Sequence, residues 1–346
     1  MSNKSWVIQG RQHLPARQQG WLVITVVIGF FNEIKYELSV VEKELMSAVK
    51  CPDPLLAEAA THLVSAGGKR LRPTFCLLGG KFYQFDLDKL VPLAVALELI
   101  HMATLVHDDV VDSSMTRRGI PTIKARWGNR ISAHLGDYLL GKSLVLISQY
   151  KDPLIPKVLA DTSVKMSEGE IIQIATSFNT NQTLRDYFYR INRKTALLIS
   201  ASCKLGAVAC GAPEPLHQAL HRFGHHIGMA FQITDDILDM TAEQVKLGKP
   251  IGGDLRQGII TLPAIYALHN SPKKERLKKI TTNRNKSDED VQEAITLITE
   301  CGGVEYSYGV AKKYIAKAKK ELGELPDVPV KKTMRTIADF VGIRSF

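Results

Sequence analysis

Apolar residues recur every three to four positions along most of this chain, from about residue 33 to its end. In the first such segment the positions are Ile34, Leu38, Val41 and Leu45. This spacing gathers apolar side chains on one face of an α-helix. The same period continues through 55–66, 92–112, 130–150, 195–211, 221–240 and 260–270. No run of alternating strands with hairpin turns competes with it, so the pattern predicts an all-α fold with several long, strongly apolar helices.

No low-complexity linker divides the chain, and we expect a single domain over residues 33–346. Residues 1–32 are interpreted as an N-terminal extension, disordered or lying on a surface. The extension contains WLVITVVIGFF at 21–31, which is shorter than the roughly 20 residues that span a bilayer. No small-residue cleavage site follows, so a packed or surface-lying segment is favoured over export, and peripheral contact with a membrane stays open. Segments 247–258 and 270–290 are expected to be flexible.

The composition narrows the class of protein. The five cysteines are scattered, and no two of them form a CxxC pair, which favours a reducing cytoplasm over a disulfide framework. The net charge of +10 is compatible with nucleic acid, an anionic membrane surface or an anionic substrate. No sequence signature of a nucleic-acid-binding module accompanies the basic runs, so solvated helix faces explain them and nucleic acid is not expected as a partner.

Two apolar segments end in the same acidic pattern, DDxxD, within LVHDDVVDSSMTRRG at 105–119 and QITDDILDMT at 232–241. The carboxylates are those of Asp108, Asp109, Asp112, Asp235, Asp236 and Asp239. Residues four apart share a helix face, so the first and last aspartate of each pattern point the same way. Carboxylates this close on apolar helices stay ionised only if cations neutralise them. One such turn alone is more often solvated or capping, but two copies favour a metal site.

The ligand set indicates which metal. Oxygen ligands without a cysteine or a histidine pair favour Mg²⁺, with Mn²⁺ as an alternative, over Zn²⁺. We expect Asp108, Asp112, Asp235 and Asp239 to be the metal ligands. Because Mg²⁺ typically takes one or two carboxylates together with phosphate oxygens, the pattern also predicts a phosphate-bearing ligand between the two helices.

Basic residues stand where they could bind that ligand. The segment SAGGKRLRP at 65–73 holds Lys69, Arg70 and Arg72 on a short connection between two helices. Arg117 and Arg118 follow the first acidic pattern, and a guanidinium group matches phosphate oxygens at two points.

Two further basic positions have a different setting. Lys194 and Thr195 are predicted to open another apolar helix, where an anion is favoured. Lys249 lies in a glycine-rich stretch that could close as a lid. Each basic residue alone is more simply a surface charge, but together they indicate two anionic ligands. An isoprenoid diphosphate, with an apolar tail and an anionic head, fits apolar helices that end in aspartates.

At this point the chain resembles the trans-isoprenyl diphosphate synthases over residues 33–346. The motifs that carry the resemblance, in family order and spacing, are GGKRLRP, LIHMATLVHDDVVDSSMTRRGIPT, GEIIQ, RKTALLI, FQITDDILD and LGKPIGGDLRQGIITLP. Among such enzymes the chain is most similar to bacterial medium- and long-chain polyprenyl diphosphate synthases. Within these it resembles component II, the catalytic subunit, of two-component heptaprenyl or hexaprenyl diphosphate synthases.

The resemblance implies the isoprenoid synthase fold, a bundle of long antiparallel helices around a central apolar cavity. It also implies roles for single residues. The two acidic patterns would bind Mg²⁺ and the allylic diphosphate. Isopentenyl diphosphate would be bound by Lys69, Arg72, His101 and Arg118. The allylic diphosphate would be bound by Arg117, Lys194, Thr195, Gln232 and Lys249. One departure is Ile259, which follows Gly258 where many relatives have lysine, and this removes one phosphate contact.

The implied reaction joins isopentenyl diphosphate to an allylic diphosphate, farnesyl or similar, and makes a medium- or long-chain all-trans polyprenyl diphosphate for quinone side chains. A proton leaves to the released pyrophosphate, and no side chain is an obvious general base. The resemblance implies a homodimer or a heterodimer with a small regulatory subunit. Terpene cyclases usually lack the GGKRxRP segment, and non-catalytic subunits typically lose an aspartate pattern, so both rival interpretations are disfavoured.

Product length is expected to depend on the helix that precedes Asp108. Ala103 and Thr104 lie five and four positions before Asp108, where shorter-product relatives commonly carry a bulky side chain. Both residues are small here, which leaves Ile100 as the next side chain positioned to limit the tail. The sequence therefore predicts a product longer than farnesyl or geranylgeranyl, of about six to seven isoprene units by family resemblance. The alternative is that Ala103 is only a helix-packing alanine.

Overall fold

The helical period of the sequence is realised almost throughout. The structure, a computed structural model, describes residues 33–241 and 251–343. In these residues the helices are α1 (Lys35–Ala48), α2 (Pro54–Ser65), α3 (Leu71–Gly80), α4 (Leu87–Val111), α5 (Ile123–Ile147), α6 (Leu154–Ala175), α7 (Leu184–Ile191), a π-helical stretch (Asn192–Ala196), α8 (Leu197–Ala209), α9 (Glu214–Thr241), α10 (Gly253–Gln257), α11 (Leu262–Asn270), α12 (Lys274–Thr282), α13 (Asp288–Glu300), α14 (Gly303–Gly323) and α15 (Pro329–Ile343). The predicted all-α fold is confirmed.

Helix α4 is the central element of the bundle. It packs against α1, α3 and α5. Within the described part of the chain it is the one helix long and apolar enough to cross a membrane, yet 72% of its most apolar window is buried against the other helices. That burial is how the core helix of a bundle is packed, and it places the first acidic pattern at the end of a buried helix.

Helices α3 and α8 cross with their backbones in direct contact. A Cβ atom on Gly79 would lie 2.4 Å from the carbonyl oxygen of Cys203, and one on Gly206 would lie 1.9 Å from that of Cys76. Because no side chain fits at either glycine, the two helices approach as closely as backbones allow. This contact fixes α3, and therefore the basic segment just before it, against α8.

A second apolar cluster covers the other half of the molecule. It joins Tyr187 and Ile191 of α7 to Ile233, Ile237 and Met240 of α9, and it extends through α11–α14. Helix α9 also packs along α8 and α14. The second acidic pattern thus sits on a helix held from several sides, one turn from the end of that helix.

The structure corrects two of the predicted segment boundaries and does not describe some of the other predicted segments. Segment 270–290, expected to be flexible, contains α12, because Leu277 and Ile280 are buried on its inner face. The predicted helix 130–150 begins earlier, at Ile123, and is kinked at Gly128, whose backbone has φ 81°. Residues 1–32 and 242–250, which include 247–250 of the expected flexible segment 247–258, lie outside the described residues, and the rest of that segment contains α10.

Candidate active site

The basic segment between α2 and α3 is shaped by left-handed backbone conformations. Gly67, Gly68 and Arg70 have φ values of 68°, 151° and 44°. A Cβ on Gly68 would lie 2.6 Å from a guanidinium nitrogen of Arg118, which donates a hydrogen bond to the carbonyl oxygen of Gly67. Glycine is required here both by the backbone angle and by the space that Arg118 occupies.

Arg70 does not belong with the two other basic residues of this segment. Its guanidinium donates to Glu42 of α1 at 2.7 Å and to Glu98 of α4 at 3.2 Å. These pairs tie the segment to two helices. Arg70 lines a cavity of about 810 Å³ together with Lys69 and Arg72 on either side of it, but its own guanidinium is already paired with these two carboxylates.

We call this space the basic cavity, lined by Lys69, Arg72, His101 and Arg118. Apart from the paired Arg70, its basic side chains are the four predicted to bind isopentenyl diphosphate, and the structure brings these four together. Burial, and then the charge of Arg72, hold the pKa of His101 well below its usual range. The imidazole is therefore neutral, and its Nε2 accepts a hydrogen bond from Arg72 at 3.2 Å.

A small hairpin places the side chains of Arg117 and Arg118 in different cavities. Strands β1 (Thr116–Arg117) and β2 (Ile120–Pro121) pair antiparallel, with Arg118 and Gly119 as the two turn residues. Both turn residues have positive φ, as a type I′ turn requires. Arg118 consequently lines the basic cavity, while Arg117 lines the neighbouring one.

The neighbouring space, of about 1000 Å³, is the acidic cavity, lined by Asp108, Asp112, Glu170, Asp235 and Lys194 among others. Burial, and then the charge of Glu170, raise the pKa of Asp108 to about 7. Burial also raises the pKa of Asp112. Asp109 faces away and accepts from Arg117 Nε at 2.9 Å, so it holds that arginine at the cavity wall. The predicted common face of Asp108 and Asp112 is confirmed.

Lys194 lines the acidic cavity, but the prediction that it opens a helix is wrong. It does not open a helix: α7 runs without interruption through the π-helical stretch 192–196 into α8. The attraction of a helix N-terminus for anions therefore does not act at Lys194 or Thr195. A Cβ on Gly169 would lie 2.7 Å from the Cβ of Arg193, so this glycine lets α6 approach the π stretch. Lys194 then pairs with Glu170 at 3.1 Å.

The aspartates of the second acidic pattern have different surroundings. Asp235 lines both cavities. Asp236 is buried and accepts from Tyr187 and Gln232 at 2.6 and 2.8 Å. Burial raises the pKa of Asp236 to about 6, against the lowering effect of these two donors.

Asp239, a predicted metal ligand, has a different arrangement. Its two carboxylate oxygens accept from the backbone N–H groups of Gly253 and Asp254, both at 3.1 Å. It caps the first turn of α10 and is absent from the residues that line the acidic cavity. The structure therefore brings together Asp108, Asp112 and Asp235, while Asp239 is turned toward α10.

The residues present fit Mg²⁺ bound together with a diphosphate. Within residues 33–241 and 251–343 no group of three or more His, Cys, Asp and Glu side chains is close enough to hold an ion alone. The raised pKa values of Asp108 and Asp112 nevertheless show two carboxylates that a cation would stabilise. Magnesium suits such a set, because phosphate oxygens and water complete its shell.

The residues predicted to control product length are placed differently. Thr104 lines the acidic cavity. Ala103 and Ile100 are buried in the core, 0% and 2% exposed, and do not line that cavity. Their role in limiting the tail stays a prediction. Lys249 lies outside the described residues.

Two residues near the cavity were missed in the sequence. Glu170 lies in the GEIIQ motif at 169–173. The available signal was Gly169, because a glycine inside a helix indicates a close approach of another element. Tyr187, the partner of Asp236, had no signal, because its hydroxyl meets a residue far along the chain.

An all-α bundle with two aspartate-bearing helices beside a basic cavity is the architecture of an isoprenyl diphosphate synthase. Comparison with known proteins agrees. The family model of polyprenyl synthetase matches residues 53–298, and the chain belongs to this family. It is accordingly a prenyltransferase that makes polyprenyl diphosphates, as the sequence predicted.

Individual relatives extend the match to most of the chain. Heptaprenyl diphosphate synthase component 2 of Bacillus subtilis is 47% identical over 92% of this chain and 90% of that protein. The component 2 of Geobacillus stearothermophilus is 46% identical over 91% of this chain and 98% of that protein. Among solved structures, heptaprenyl diphosphate synthase from Staphylococcus aureus superposes with a TM-score of 0.85 at 38% identity, covering 90% of this chain and 98% of that one.

Proposed function

We propose that this enzyme condenses isopentenyl diphosphate with an allylic diphosphate, farnesyl or similar, in a Mg²⁺-dependent reaction. The product is an all-trans polyprenyl diphosphate of heptaprenyl or hexaprenyl length that supplies quinone side chains in the cytoplasm. The observation that supports this is the adjacency of the two cavities, which share Arg72, His101, Phe231 and Asp235 as lining residues. Two anionic heads held on either side of this shared wall would bring their reacting carbons together.

The side chains of the two cavities divide the work. Bound magnesium would supply Lewis acidity that draws charge onto the leaving diphosphate. Lys194 and Arg117 hold the allylic diphosphate and stabilise its developing charge. Lys69, Arg72 and Arg118 hold isopentenyl diphosphate, and neutral His101 keeps Arg72 oriented without adding charge. Thr104 and Leu105 border the space for the apolar tail. The proton lost by the isopentenyl group passes to the released pyrophosphate.

A product assay tests this proposal. The full chain is incubated with farnesyl diphosphate, radiolabelled isopentenyl diphosphate and Mg²⁺, and the products are dephosphorylated and separated by thin-layer chromatography. We expect products of about 30 to 35 carbons and none in EDTA. Condensation that persists in EDTA would refute metal dependence, and products that stop at farnesyl or geranylgeranyl would refute the long-chain assignment.

We further propose that the chain works with a small regulatory subunit. The support is that the curated relatives at 46–47% identity are named component 2. Exposed apolar side chains on two helices also suit a partner: Leu144 and Val145 of α5, and Val164, Ile171 and Ile174 of α6, are between 53% and 68% accessible. Val164 and Ile171 lie seven positions apart and therefore share a helix face. Exposed apolar side chains in such number mark an interaction surface.

The partner proposal is tested by mass and activity. The assay is run with the chain alone and with the small component of a heptaprenyl diphosphate synthase, and each mixture is sized by light scattering. We expect full activity only in the heteromer, and loss of that heteromer in Ile171→Lys. The matched control is Leu55→Lys, at an exposed apolar position on α2. A fully active chain that sizes as a dimer of itself would replace the heterodimer with the homodimer.

A further inference from the structure

A line of hydrogen bonds runs from the core to the wall of the acidic cavity. The Tyr187 hydroxyl donates to Oδ2 of Asp236 at 2.6 Å, and Gln232 Nε2 donates to Oδ1 of Asp236 at 2.8 Å. Thr195 Oγ1 donates to Gln232 Oε1 at 2.5 Å. Tyr187 and Asp236 are 0% and 4% exposed, whereas Gln232 and Thr195 line the cavity. The line therefore begins out of reach of substrate and ends where substrate binds.

The direction of each hydrogen bond follows from the one before it. An ionised carboxylate only accepts, so Asp236 obliges Gln232 to turn its amide N–H₂ group inward. The amide oxygen of Gln232 then faces Thr195 and accepts the hydroxyl proton of that residue. With this proton engaged, Thr195 offers the cavity its lone pairs, and Gln232 keeps one N–H to donate. The donor and acceptor pattern of this wall is thus fixed from Asp236.

Asp236 itself depends on Tyr187. Each of its oxygens has one side-chain donor, and the carboxylate is too buried for water to replace either of them. Loss of the Tyr187 hydroxyl would leave Oδ2 buried without that donor, at a cost that favours rotation of the carboxylate. Tyr187 and Thr195 belong to the same helical segment, and Gln232 and Asp236 stand one turn apart on α9. The four side chains thus close a ring between two helices.

We propose that Tyr187 is a positioning residue for the allylic diphosphate: through Asp236 it sets the orientation of Gln232 and Thr195 at the cavity wall. The inference rests on the proposed function in taking the ligand of the acidic cavity to be a diphosphate. It also assigns Asp236 to positioning and leaves metal binding in the second acidic pattern to Asp235, which lines the cavity.

The variant Tyr187→Phe tests this on the full chain. It keeps the ring that packs edge-on against Phe188 at 5.4 Å and under the Arg190 guanidinium. The binding probe is inorganic pyrophosphate with Mg²⁺, followed by titration calorimetry. We expect affinity about tenfold weaker, which is the loss of one hydrogen bond to a charged group. The KM for farnesyl diphosphate should rise in parallel, while the KM for isopentenyl diphosphate stays unchanged.

The control is Tyr150→Phe, which removes a hydroxyl that donates to the carbonyl oxygen of Lys89 at 2.5 Å. Lys89 lies at the far end of α4 from Asp108, about 28 Å away at 1.5 Å per residue. Tyr150→Phe should therefore leave pyrophosphate affinity unchanged.

A second variant changes Asp236, the acceptor of the Tyr187 hydroxyl. Asp236→Asn offers only one acceptor atom, so it should weaken pyrophosphate binding to a similar extent, and adding Tyr187→Phe should cause no further loss. Unchanged affinity in a folded Asp236→Asn enzyme, or a Tyr187→Phe enzyme that melts earlier but binds and turns over normally, overturns the proposal. Wild-type enzyme that neither binds Mg²⁺-pyrophosphate nor elongates would instead overturn the proposed function.

Discussion

The two acidic patterns have the same spacing but different neighbours. At the end of α4, Asp108 and Asp112 face the cavity and only the middle aspartate is engaged, by Arg117. In α9 the middle aspartate is held by Tyr187 and Gln232, and Asp239 is held by backbone N–H groups of α10. Of the four aspartates in α9 and α10, which include Asp254, only Asp235 lines the acidic cavity.

The spacing of a pattern selects a helix face, whereas neighbouring groups decide what each carboxylate on that face can do. The α4 pattern ends a helix, and the hairpin after it brings Arg117 to the same cavity, where the middle aspartate pairs with this arginine and the two outer aspartates face the open space. The α9 pattern is followed closely by α10, whose first N–H groups attract a carboxylate. The first pattern is therefore the stronger candidate for binding cations, and the second is coupled to α10 through Asp239.

The largest effect expected is from removing a cavity-facing carboxylate of either pattern. Asp108→Ala and Asp235→Ala should each lower product formation by roughly 10³-fold or more, because metal-assisted charge stabilisation is worth several kcal/mol. The measurement is the rate at saturating Mg²⁺ and both substrates, with folding checked by circular dichroism. Asp161→Ala, at an exposed position of α6, is the control. Near-normal rates in either cavity variant would refute the metal assignment.

A pH titration should separate the two patterns. The pKa of Asp108 is raised to about 7 by burial and by Glu170, so below pH 7 a cation must displace a proton from this carboxyl group. Affinity for Mg²⁺-pyrophosphate should then fall by up to about tenfold per pH unit below 7 and level off above it. Because pyrophosphate itself titrates, the comparison is with Asp108→Asn, in which this part of the dependence should vanish, and with Asp235→Asn, which should keep it. Identical profiles in wild type and Asp108→Asn would contradict the prediction.

A smaller effect is expected at the middle aspartate of the first pattern. Asp109→Asn keeps the shape of the side chain but removes the charge that holds Arg117, at 2.8 Å from its Nη2. The KM for the allylic substrate should rise several-fold, as expected for one weakened charge-assisted hydrogen bond. Glu58→Gln, which breaks the exposed pair with Arg126, should change nothing. An unchanged KM for the allylic substrate would show that Arg117 binds this substrate without the charge of Asp109.

Substitutions in α4 just before Asp108 should have the smallest effect on the reaction rate, but they should change the length of the product. Thr104→Phe places a ring at the cavity wall and should shift products to about 15–20 carbons while the metal site persists. Ala103→Phe should shorten products too if the tail passes this buried position, and Ile100→Gly should lengthen them at some cost in stability. Thin-layer chromatography of the products decides each case. Unchanged products from an active Thr104→Phe enzyme would place the tail on another face of α4.

The sequence predicted the helices and most of the cavity residues because both depend on short-range spacing. The apolar period gave α4 and α9, and the DDxxD patterns gave Asp108, Asp112 and Asp235. Lys194 was predicted to open a helix, whereas the chain continues through a π-helical stretch into α8. The orientation of Asp239 and the link to Tyr187 could not be predicted, because each depends on a partner supplied by another helix.

The contact of Gly79 and Gly206 has a consequence for how the enzyme is built. Helix α3, which directly follows the basic segment, is held by α8, a helix synthesised long afterwards. Non-local contacts of this kind form late in folding, because the intervening chain must first be ordered. A nascent chain that ends before α8 would contain Lys69, Arg72, His101 and Arg118 of the basic cavity and yet have no fixed position for them. The binding of isopentenyl diphosphate should therefore arise only after the second half of the molecule has emerged and docked.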